Sequence, residues 1–531
     1  MPSSVSRWVF PTGTAGSRKP TTGRGRNSRS SPRPDSPPFP SPSVHPTLCR
    51  QFQEVFMPTP IRISVIGAGS AQFSLGLVKD ICLTESLNGS QISFMDIDGD
   101  RLEMIHKLAS RYANELGADL GFDLTESMAD SMQDADFVIN TASAHTHAMQ
   151  RLIRETVESY GYYHGGGLGS GNYHNLQLML DVVGTMERIC PDAWLIQSGN
   201  PVYQGCTLMT RESDIKVCGL CHGHYGVHQI ANTLGFDLDE LTWQAPGLNH
   251  NIWLTHFLYR GEDAYPILED WIANEAEEYW RTHEADRTHD IQMSRGTIHQ
   301  YRMFGLMPIG DTPRSVGWWY HTDLAVKKHW YGEPFGGPDT HIARPYFVKN
   351  LEERLVHMQA VAEDESASLI EAFGQEKTKE QQVPIIDGLV NDNEGQFQVN
   401  VPNYGALPGV PDDVVVEVPA IVNAKGIQPL RVHPLPEKIM YDQILPDWLH
   451  MERDLLAFQT GDRRTLLLNA LEAGQTHDYD QALNALESVL AVEGNEDVNA
   501  HYRYGPGDSL LRERLGLAVA NGASPNGSRP A

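Results

Sequence analysis

Apolar positions in the first half of the chain follow two alternating patterns. Short apolar runs rich in β-branched residues predict buried strands near 61–66, 91–95, 136–139, 193–197 and 215–219. Apolar residues at helical spacing predict helices over 75–83, 98–116, 173–189 and 224–234. Strands that alternate with helices in this way predict an α/β fold built on a parallel, doubly wound sheet.

The pattern changes after about residue 240. Long amphipathic stretches cover 266–283 and 346–372, residues 414–418 are β-rich, and the last hundred residues are mainly helical. No Pro/Gly-rich linker separates the two halves. We therefore expect a second, α+β domain that is intertwined with the first domain rather than joined to it as a separate bead.

The two ends of the chain differ in composition from the rest. Residues 1–56 are dominated by Pro, Ser, Arg, Thr and Gly and lack the apolar segment of a secretory signal. Such a segment buries too little apolar surface to offset its ordering entropy, so we expect disorder there and a folded protein that begins at Met57. Residues 516–531 are expected to form a flexible tail.

Charge and cysteine content narrow the range of partners. The formal net charge is −27, which disfavours nucleic acid and anionic membranes as partners. No run of about eighteen apolar residues is present, so no membrane span is predicted. The six cysteines are sparse and show no framework spacing, which indicates free thiols and a reducing, cytoplasmic compartment.

A glycine turn follows the first predicted strand and precedes a helix. Gly67, Gly69 and Ser70 lie in this turn. Glycines there let the backbone approach a pyrophosphate, and the helix N-terminus offers free N–H groups. The third glycine of the dinucleotide fingerprint is missing, so an ordinary α/β turn remains an alternative at this point.

Two more positions extend the predicted cofactor site. Asp96 ends the second strand, where an acid holds a ribose hydroxyl and favours NAD over the phosphorylated cofactor. Asp98 is the expected cap of the next helix. Asn140 ends the next strand and is predicted to lie beside the cofactor. These residues place a dinucleotide-binding domain at 57–245 and a substrate, metal and oligomerisation domain at 246–515.

A thiol and an imidazole are the candidate metal ligands. Cys221 follows a short strand and therefore lies at the carboxyl edge of the sheet, and His250 follows about thirty residues later. Both are good ligands for a borderline divalent ion. The ordinary alternatives are a buried small apolar cysteine and a hydrogen-bonded core histidine.

Polar residues near the same edge are candidates for contact with substrate. Asn200 follows the strand at 193–197, Asn249 precedes His250, and Arg314 lies three residues after Asp311. The Asn200 amide can hold a hydroxyl, and Arg314 can orient a hydroxyl or the acid. The alternatives are an Asn-Pro turn and a surface ion pair.

The chain from about 57 to 515 resembles family 4 of the glycoside hydrolases. The matching motifs are Gly67-Ala68-Gly69-Ser70, Asp96-Ile97-Asp98 with Arg101, Asn200-Pro201, Gly219-Leu220-Cys221-His222-Gly223-His224, and Gly247-Leu248-Asn249-His250 with Trp253. The resemblance implies NAD and manganese as cofactors and Cys221 and His250 as metal ligands. Cys-His-Gly-His, together with residues 307–314, is similar to the unphosphorylated α-glucosidase branch.

The resemblance also implies a mechanism. A hydride passes from sugar C3 to NAD, the ketone acidifies the C2 proton, the C1 group leaves by elimination, water adds, and the hydride returns. Asp311 aligns with the family's acidic base and is predicted to take the C2 proton or to activate water. Tyr301 is the alternative base, and His222 completes the predicted catalytic set.

Other functions remain open from sequence alone. An α-galactoside or an α-uronide (glucuronide or galacturonide) is an alternative substrate. An NAD-dependent dehydrogenase of the 2-hydroxy-acid type, with the lactate and malate dehydrogenase architecture, and an NAD-binding sensor are alternative classes. Neither of those classes needs both Cys221 and His250. We expect a homodimer or a homotetramer that acts on small glycosides.

Overall fold

A computed structural model describes residues 58–70, 73–163, 168, 172–285 and 287–504. The expectations for residues 1–56, for a start at Met57 and for the tail at 516–531 fall outside this part of the chain. None of the described helices is long and apolar enough to cross a bilayer.

The predicted alternation of strands and helices is present, with small shifts at the ends of elements. The strands are β1 (Arg62–Ile66), β2 (Gln91–Met95), β3 (Gly121–Thr125), β4 (Phe137–Asn140), β5 (Trp194–Gln197), β6 (Lys216–Gly219), β7 (Leu241–Gln244), β8 (Gly247–Leu248), β9 (Asn251–Leu254), β10 (His256–Tyr259), β11 (Glu262–Asp263), β12 (Met307–Ile309), β13 (Gly395–Pro402), β14 (Val415–Asn423) and β15 (Gly426–Pro429).

The helices cover both faces of the sheet and most of the C-terminal part. They are α1 (Ser74–Cys82), α2 (Gly99–Leu116), α3 (Met128–Ser131), α4 (His147–Glu158), α5 (Tyr173–Ile189), α6 (Val202–Glu212), α7 (Tyr225–Leu234), α8 (Tyr265–Asn274), α9 (Ala276–Thr282), α10 (Arg295–Phe304), α11 (Thr312–Ser315), α12 (Leu324–Tyr331), α13 (Ala343–Glu363), α14 (Leu369–Phe373), α15 (Gln382–Asn391), α16 (Glu437–Ile439), α17 (Leu445–Thr460), α18 (Arg463–Glu472), α19 (Tyr479–Leu490) and α20 (Glu496–His501).

Six parallel strands form the core in the order β3-β2-β1-β4-β5-β6. The side chains of β1, β2, β4 and β5 are almost all buried, because helices pack on both faces of the sheet. This is the doubly wound dinucleotide-binding topology, and its strand order reverses between β1 and β4. The predicted fold class is confirmed.

The second half of the chain continues the same sheet. β13 pairs antiparallel with β6, and β14, β8, β9 and β12 follow outward. Together with β15, the described residues contribute twelve strands to this sheet. A small sheet of β7, β10 and β11 forms a separate apolar cluster with residues such as Phe257 and Trp271. The two halves are therefore intertwined, as the absence of a linker predicted.

Arg111 of α2 joins the first half to the end of α13. Its guanidinium donates to the carbonyls of Val361 at 2.8 Å, Asp364 at 3.0 Å and Ala367 at 2.7 Å. The last carbonyls of a helix lack partners within the helix and carry partial negative charge, so a cation there supplies hydrogen bonds and a favourable field.

We predict that Arg111→Met lowers the free energy of unfolding by about 1–3 kcal/mol, because it leaves these carbonyls without their charged donor. Urea titration followed by circular dichroism measures the loss. Arg151→Met is the control, since Arg151 is 67% exposed and its ion pair is with Glu155 of its own helix. A change of about 0.5 kcal/mol or less is expected for the control. Equal effects of the two substitutions would contradict this account of Arg111.

Candidate active site

Three side chains from separate elements meet at the carboxyl edge of the central sheet. Cys221 follows β6, His250 lies in the turn between β8 and β9, and Asp311 follows β12. Candidate ligand atoms of the three residues all lie within 4.8 Å of one another. His250 has a left-handed backbone, with φ of 64°. Thiol, imidazole and carboxylate together form a donor set suited to a borderline divalent cation.

Asp311 is held in its ionised form by two neighbours. Arg314 Nε donates to it at 2.8 Å, and His250 Nε2 lies 3.2 Å from its other oxygen. Burial alone would raise the pKa of Asp311, but Arg314 and His250 outweigh burial and hold the pKa well below its usual value. The sequence predicted Asp311 beside Arg314 but did not predict that it joins Cys221 and His250.

Cys221 has the opposite electrostatic setting. Burial and the nearby carboxylates of Glu417 and Asp311 raise the pKa of its thiol far above the ordinary value. The thiol is therefore protonated on its own, and a bound cation must displace that proton to gain a thiolate ligand. Burial lowers the pKa of His250, which favours the neutral, ligating imidazole despite the neighbouring Asp311.

Glu417 of β14 lies under this group of residues and was not predicted. It is 1% exposed and accepts a hydrogen bond from the Asn249 amide at 2.9 Å. Burial raises the pKa of Glu417 to about 7, although the Asn249 hydrogen bond opposes the rise. Asn249 is thus buried and bonded to protein, which fixes the turn that carries His250.

His222 and His224 point to different surroundings. His222 pairs with Glu380 at 2.9 Å and packs near the rings of Phe73 and Tyr225. Burial would lower the pKa of His222, but Glu380 raises it above its ordinary value. His224 is buried, and its ring lies parallel to that of Trp243. Glu380 gave no signal in the sequence, because a single acid in a polar loop has no distinguishing pattern.

Tyr301 and Asn200 are two further predicted site residues. Among the hydrogen bonds of the described residues, neither one contacts Cys221, His250 or Asp311. The Tyr301 hydroxyl donates to Glu269 at 2.7 Å, and its ring stacks on Tyr265. Asn200 lies just beyond β5 with its residue exposed. Both assignments remain predictions.

The glycine turn after β1 has the geometry that a dinucleotide loop needs. Gly67 has φ of 83°, and a Cβ there would lie 2.7 Å from the Ala142 Cα. The Gly69 amide donates to Asp96 Oδ2 at 2.7 Å, so this carboxylate also holds the turn. Ser70 continues the turn, with its amide donating to the Gly67 carbonyl.

The neighbouring strand ends are arranged around this turn. Asp98 accepts from the Arg101 amide at 3.2 Å and caps α2, as predicted. Asn140 is fully buried; its amide donates to Gln197 at 3.0 Å, and its oxygen accepts from the Ala142 amide. Asn140 therefore holds the ends of β4 and β5 together beside the glycine turn, and its side chain is already hydrogen-bonded to protein.

Comparison with known proteins decides the family. The sequence matches the models for family 4 glycosyl hydrolase over residues 62–236 and for the family 4 glycosyl hydrolase C-terminal domain over residues 245–473. The protein belongs to glycosyl hydrolase family 4. It is therefore a glycosidase, and the resemblance noted from its motifs is confirmed.

Relatives of this family 4 member differ in their sugars. An α-galactosidase from Bacillus subtilis (strain 168) is 25% identical, with 71% of this chain and 85% of the relative covered. An α-glucosidase from Erwinia rhapontici is 26% identical, with 70% and 84% covered. A 6-phospho-α-glucosidase from gut microorganisms, solved in complex with NAD and Mn²⁺, has a TM-score of 0.67 at 18% identity, with 82% of this chain and 98% of that chain covered.

We predict that Cys221→Ser and His250→Ala each remove most divalent-cation binding. The first replaces a soft thiolate with a hydroxyl, and the second deletes an imidazole. Manganese content after dialysis, measured by atomic emission, is expected to fall about tenfold or more, in line with loss of one ligand. Cys218→Ser, which changes a fully buried thiol three residues away, is the matched control. Unchanged manganese in both site variants would exclude these ligands.

Proposed function

We propose that this family 4 glycosidase hydrolyses α-glycosidic bonds through transient oxidation of the sugar, with NAD and Mn²⁺ as cofactors. The observation that carries the proposal is the group of Cys221, His250 and Asp311 at the same sheet edge as the glycine turn of Gly67 and Gly69. When bound, NAD takes up and returns the C3 hydride and the cation stabilises negative charge that develops on the sugar oxygens.

The chain's own residues fit both cofactors. A Cβ on Gly67 would meet the Ala142 Cα at 2.7 Å, and one on Gly69 would meet Asp96 at 2.8 Å, so this tight turn requires glycine at both positions. Asp96 directly follows β2, where a ribose hydroxyl is held in dinucleotide-binding folds. Cys221 and His250 would hold the cation, with Asp311 close enough to act as a third ligand or to face the substrate. The need for a reduced Cys221 favours a cytoplasmic location.

Asp311 is the favoured base for the C2 proton. Its two neighbours favour the ionised form, and it lies beside the candidate ligand atoms of Cys221 and His250, so it would face a sugar whose oxygens were held by a cation there. Its low pKa makes it a weak base, which is sufficient only because the C3 ketone acidifies the C2 proton. The Tyr301 hydroxyl is already bonded to Glu269, so Tyr301 is the second choice. His222, paired with Glu380, is a further candidate for proton transfer.

The sugar is proposed to be an α-linked, gluco-configured hexose, as the Cys221–His224 tetrapeptide predicts. Asn200 and Arg314 are the proposed substrate contacts, and Asn249 acts through the turn that positions His250. An α-galactoside or α-uronide would use the same chemistry. A 2-hydroxy-acid dehydrogenase would instead accumulate NADH, which an absorbance assay detects directly.

We predict that hydrolysis in heavy water places deuterium at C2 of the released sugar. A direct displacement at C1 would leave the C2 hydrogen in place, whereas oxidation at C3 makes that hydrogen exchangeable. Activity is expected to vanish when NAD is stripped and to return when NAD, Mn²⁺ and a thiol reductant are supplied. Proton NMR of the product measures the label, and a product without C2 deuterium would refute the mechanism.

We predict that Asp311→Asn lowers kcat by about 10²–10⁴-fold, the usual contribution of proton transfer. If Asp311 acts as the base, manganese content stays near that of the wild type and C2 exchange is lost. Loss of manganese would instead make Asp311 a ligand. Full activity in Asp311→Asn would move the base elsewhere, and Tyr301→Phe is then the next variant to measure.

A further inference from the structure

Four cationic side chains converge on the buried carboxylate of Asp339. They come from separate elements: Arg154 from α4, Arg314 from α11, Lys327 from α12 and Arg344 from α13. Arg314 bonds Asp339 at 2.6 Å, Arg154 lies 3.5 Å from the same carboxylate, and Lys327 donates to the Asp339 carbonyl at 2.7 Å. We call these four residues the basic cluster.

The basic cluster is linked directly to the reacting centre. Arg314 contacts Asp311 at 2.8 Å with one nitrogen and Asp339 at 2.6 Å with another. The buried His289 lies within electrostatic reach of Asp311, Arg314 and Arg344. Arg314 and Asp339 therefore join the cluster to Asp311, the residue that is proposed to act on C2.

Positive charge exceeds negative charge in this region. Within the described part of the chain, three carboxyl groups interact electrostatically with these cations, namely those of Asp339, Asp311 and Glu158. Asp311 is shared with the candidate cation site, and burial raises the pKa of Glu158 towards the neutral form. Burial also lowers the pKa of Lys327 to about 8, even though Asp339 opposes the shift. A divalent cation at the site would increase the excess of positive charge.

Two guanidinium groups retain donors for a further anion. Arg344 donates to the Gln150 side chain at 2.8 Å and lies over the ring of Phe347, and neither partner is charged. Among the residues that the structure describes, Arg344 forms no ion pair. Nη1 of Arg154 is buried and has no hydrogen-bond partner in the same part of the chain. Buried donors of this kind are normally satisfied, by protein or by a ligand.

We propose that the sugar carries an anionic group, a carboxylate or a phosphate, which Arg344 and Arg154 bind while Arg314 orients Asp311. The planar guanidinium fork matches either oxyanion, and charge-assisted bonds in a water-poor site are strong. This inference rests on the proposed function, since it names the substrate class of the same site. The sequence motifs favour an unphosphorylated sugar, so a C6 carboxylate on a gluco-configured hexose satisfies both observations.

The first experiment compares substrates on the wild-type protein loaded with NAD and Mn²⁺. The probes are the nitrophenyl α-glycosides of glucose, galactose, glucuronate, galacturonate and glucose 6-phosphate. We expect kcat/KM for at least one anionic glycoside to exceed that of the neutral sugars about tenfold or more, the usual worth of a charged hydrogen bond. The uronate and phosphate probes distinguish the two anions. Preference for a neutral sugar overturns the proposal.

The second experiment changes the cluster. Arg344→Gln is expected to lower the ratio of anionic to neutral kcat/KM about tenfold to a hundredfold, whereas Arg344→Lys keeps the charge but loses the fork and falls in between. Arg354→Gln is the matched control, an exposed arginine on the same helix, and is expected to leave the ratio unchanged. An unchanged ratio in folded Arg344→Gln overturns the assignment of Arg344.

Direct binding separates this inference from the proposed function. Calorimetry with glucuronate, galacturonate, glucose 6-phosphate and glucose, on protein loaded with NAD, tests anion preference without turnover. If neutral glycosides turn over best and exchange their C2 hydrogen, the anionic-substrate proposal is refuted and the proposed redox mechanism stands. If an anionic sugar binds more tightly but no glycoside exchanges its C2 hydrogen, the role of the basic cluster in anion binding is supported and the redox mechanism is refuted. No preference for an anionic sugar, in binding or in turnover, overturns the proposal.

Discussion

The pairing of β13 with β6 is the contact on which the site depends. Asn400 lies opposite Gly219, two residues before Cys221, and a Cβ on Gly219 would lie only 2.7 Å from Cys206 Sγ and 2.9 Å from the Asn400 Cβ. Through this pairing, the antiparallel strands that carry Glu417 and the His250 turn are aligned with the dinucleotide-binding strands. A side chain at residue 219 would separate the two halves and with them the ligands.

Electrostatics at the site follow from this shared edge. Arg314 forms ion pairs with Asp311 on one side and with Asp339 on the other, so negative and positive groups alternate across the site. Each charged side chain is largely buried and is stabilised by the next one, so the Asp311 carboxylate stays ionised beside a protonated thiol. Burial alone would raise the pKa of Asp311, as it raises the pKa of Glu417 to about 7. One site thus contains two carboxyl groups whose pKa values shift in opposite directions, because only Asp311 has cationic partners among the described residues.

Local patterns predicted the parts of the molecule that depend on local physics. Short apolar runs located β1 and β2, the helical spacing of apolar residues located α2, and the cap at Asp98 followed from its side chain. β3 was missed because its residues are mostly half-exposed and lack a buried run. The continuation of the sheet by β13 and β14 was missed as well, because strand pairing across nearly two hundred residues leaves no local signal.

The residues of the candidate site also fall into those that the sequence predicted and those that only the fold reveals. Cys221 and His250 were found because thiol and imidazole stand out near strand ends. Asp339, Glu380 and Glu417 are single acids in ordinary surroundings, and only the fold reveals their partners. Closeness to Asp311 in sequence made Tyr301 a candidate, but the direction of a side chain on a helix depends on what that helix packs against, here Glu269 and Tyr265.

The long separation between β6 and β13 also has a consequence during synthesis. β6 ends at residue 219 and β13 begins at residue 395, so the ribosome adds about 176 residues between them. At usual rates of translation this takes roughly 10–35 s. Throughout that interval the β6 edge that pairs with β13 has no partner strand. An unpaired strand edge is a template on which other chains can pair, so a nascent chain of this kind must keep that edge covered before it can form its own site.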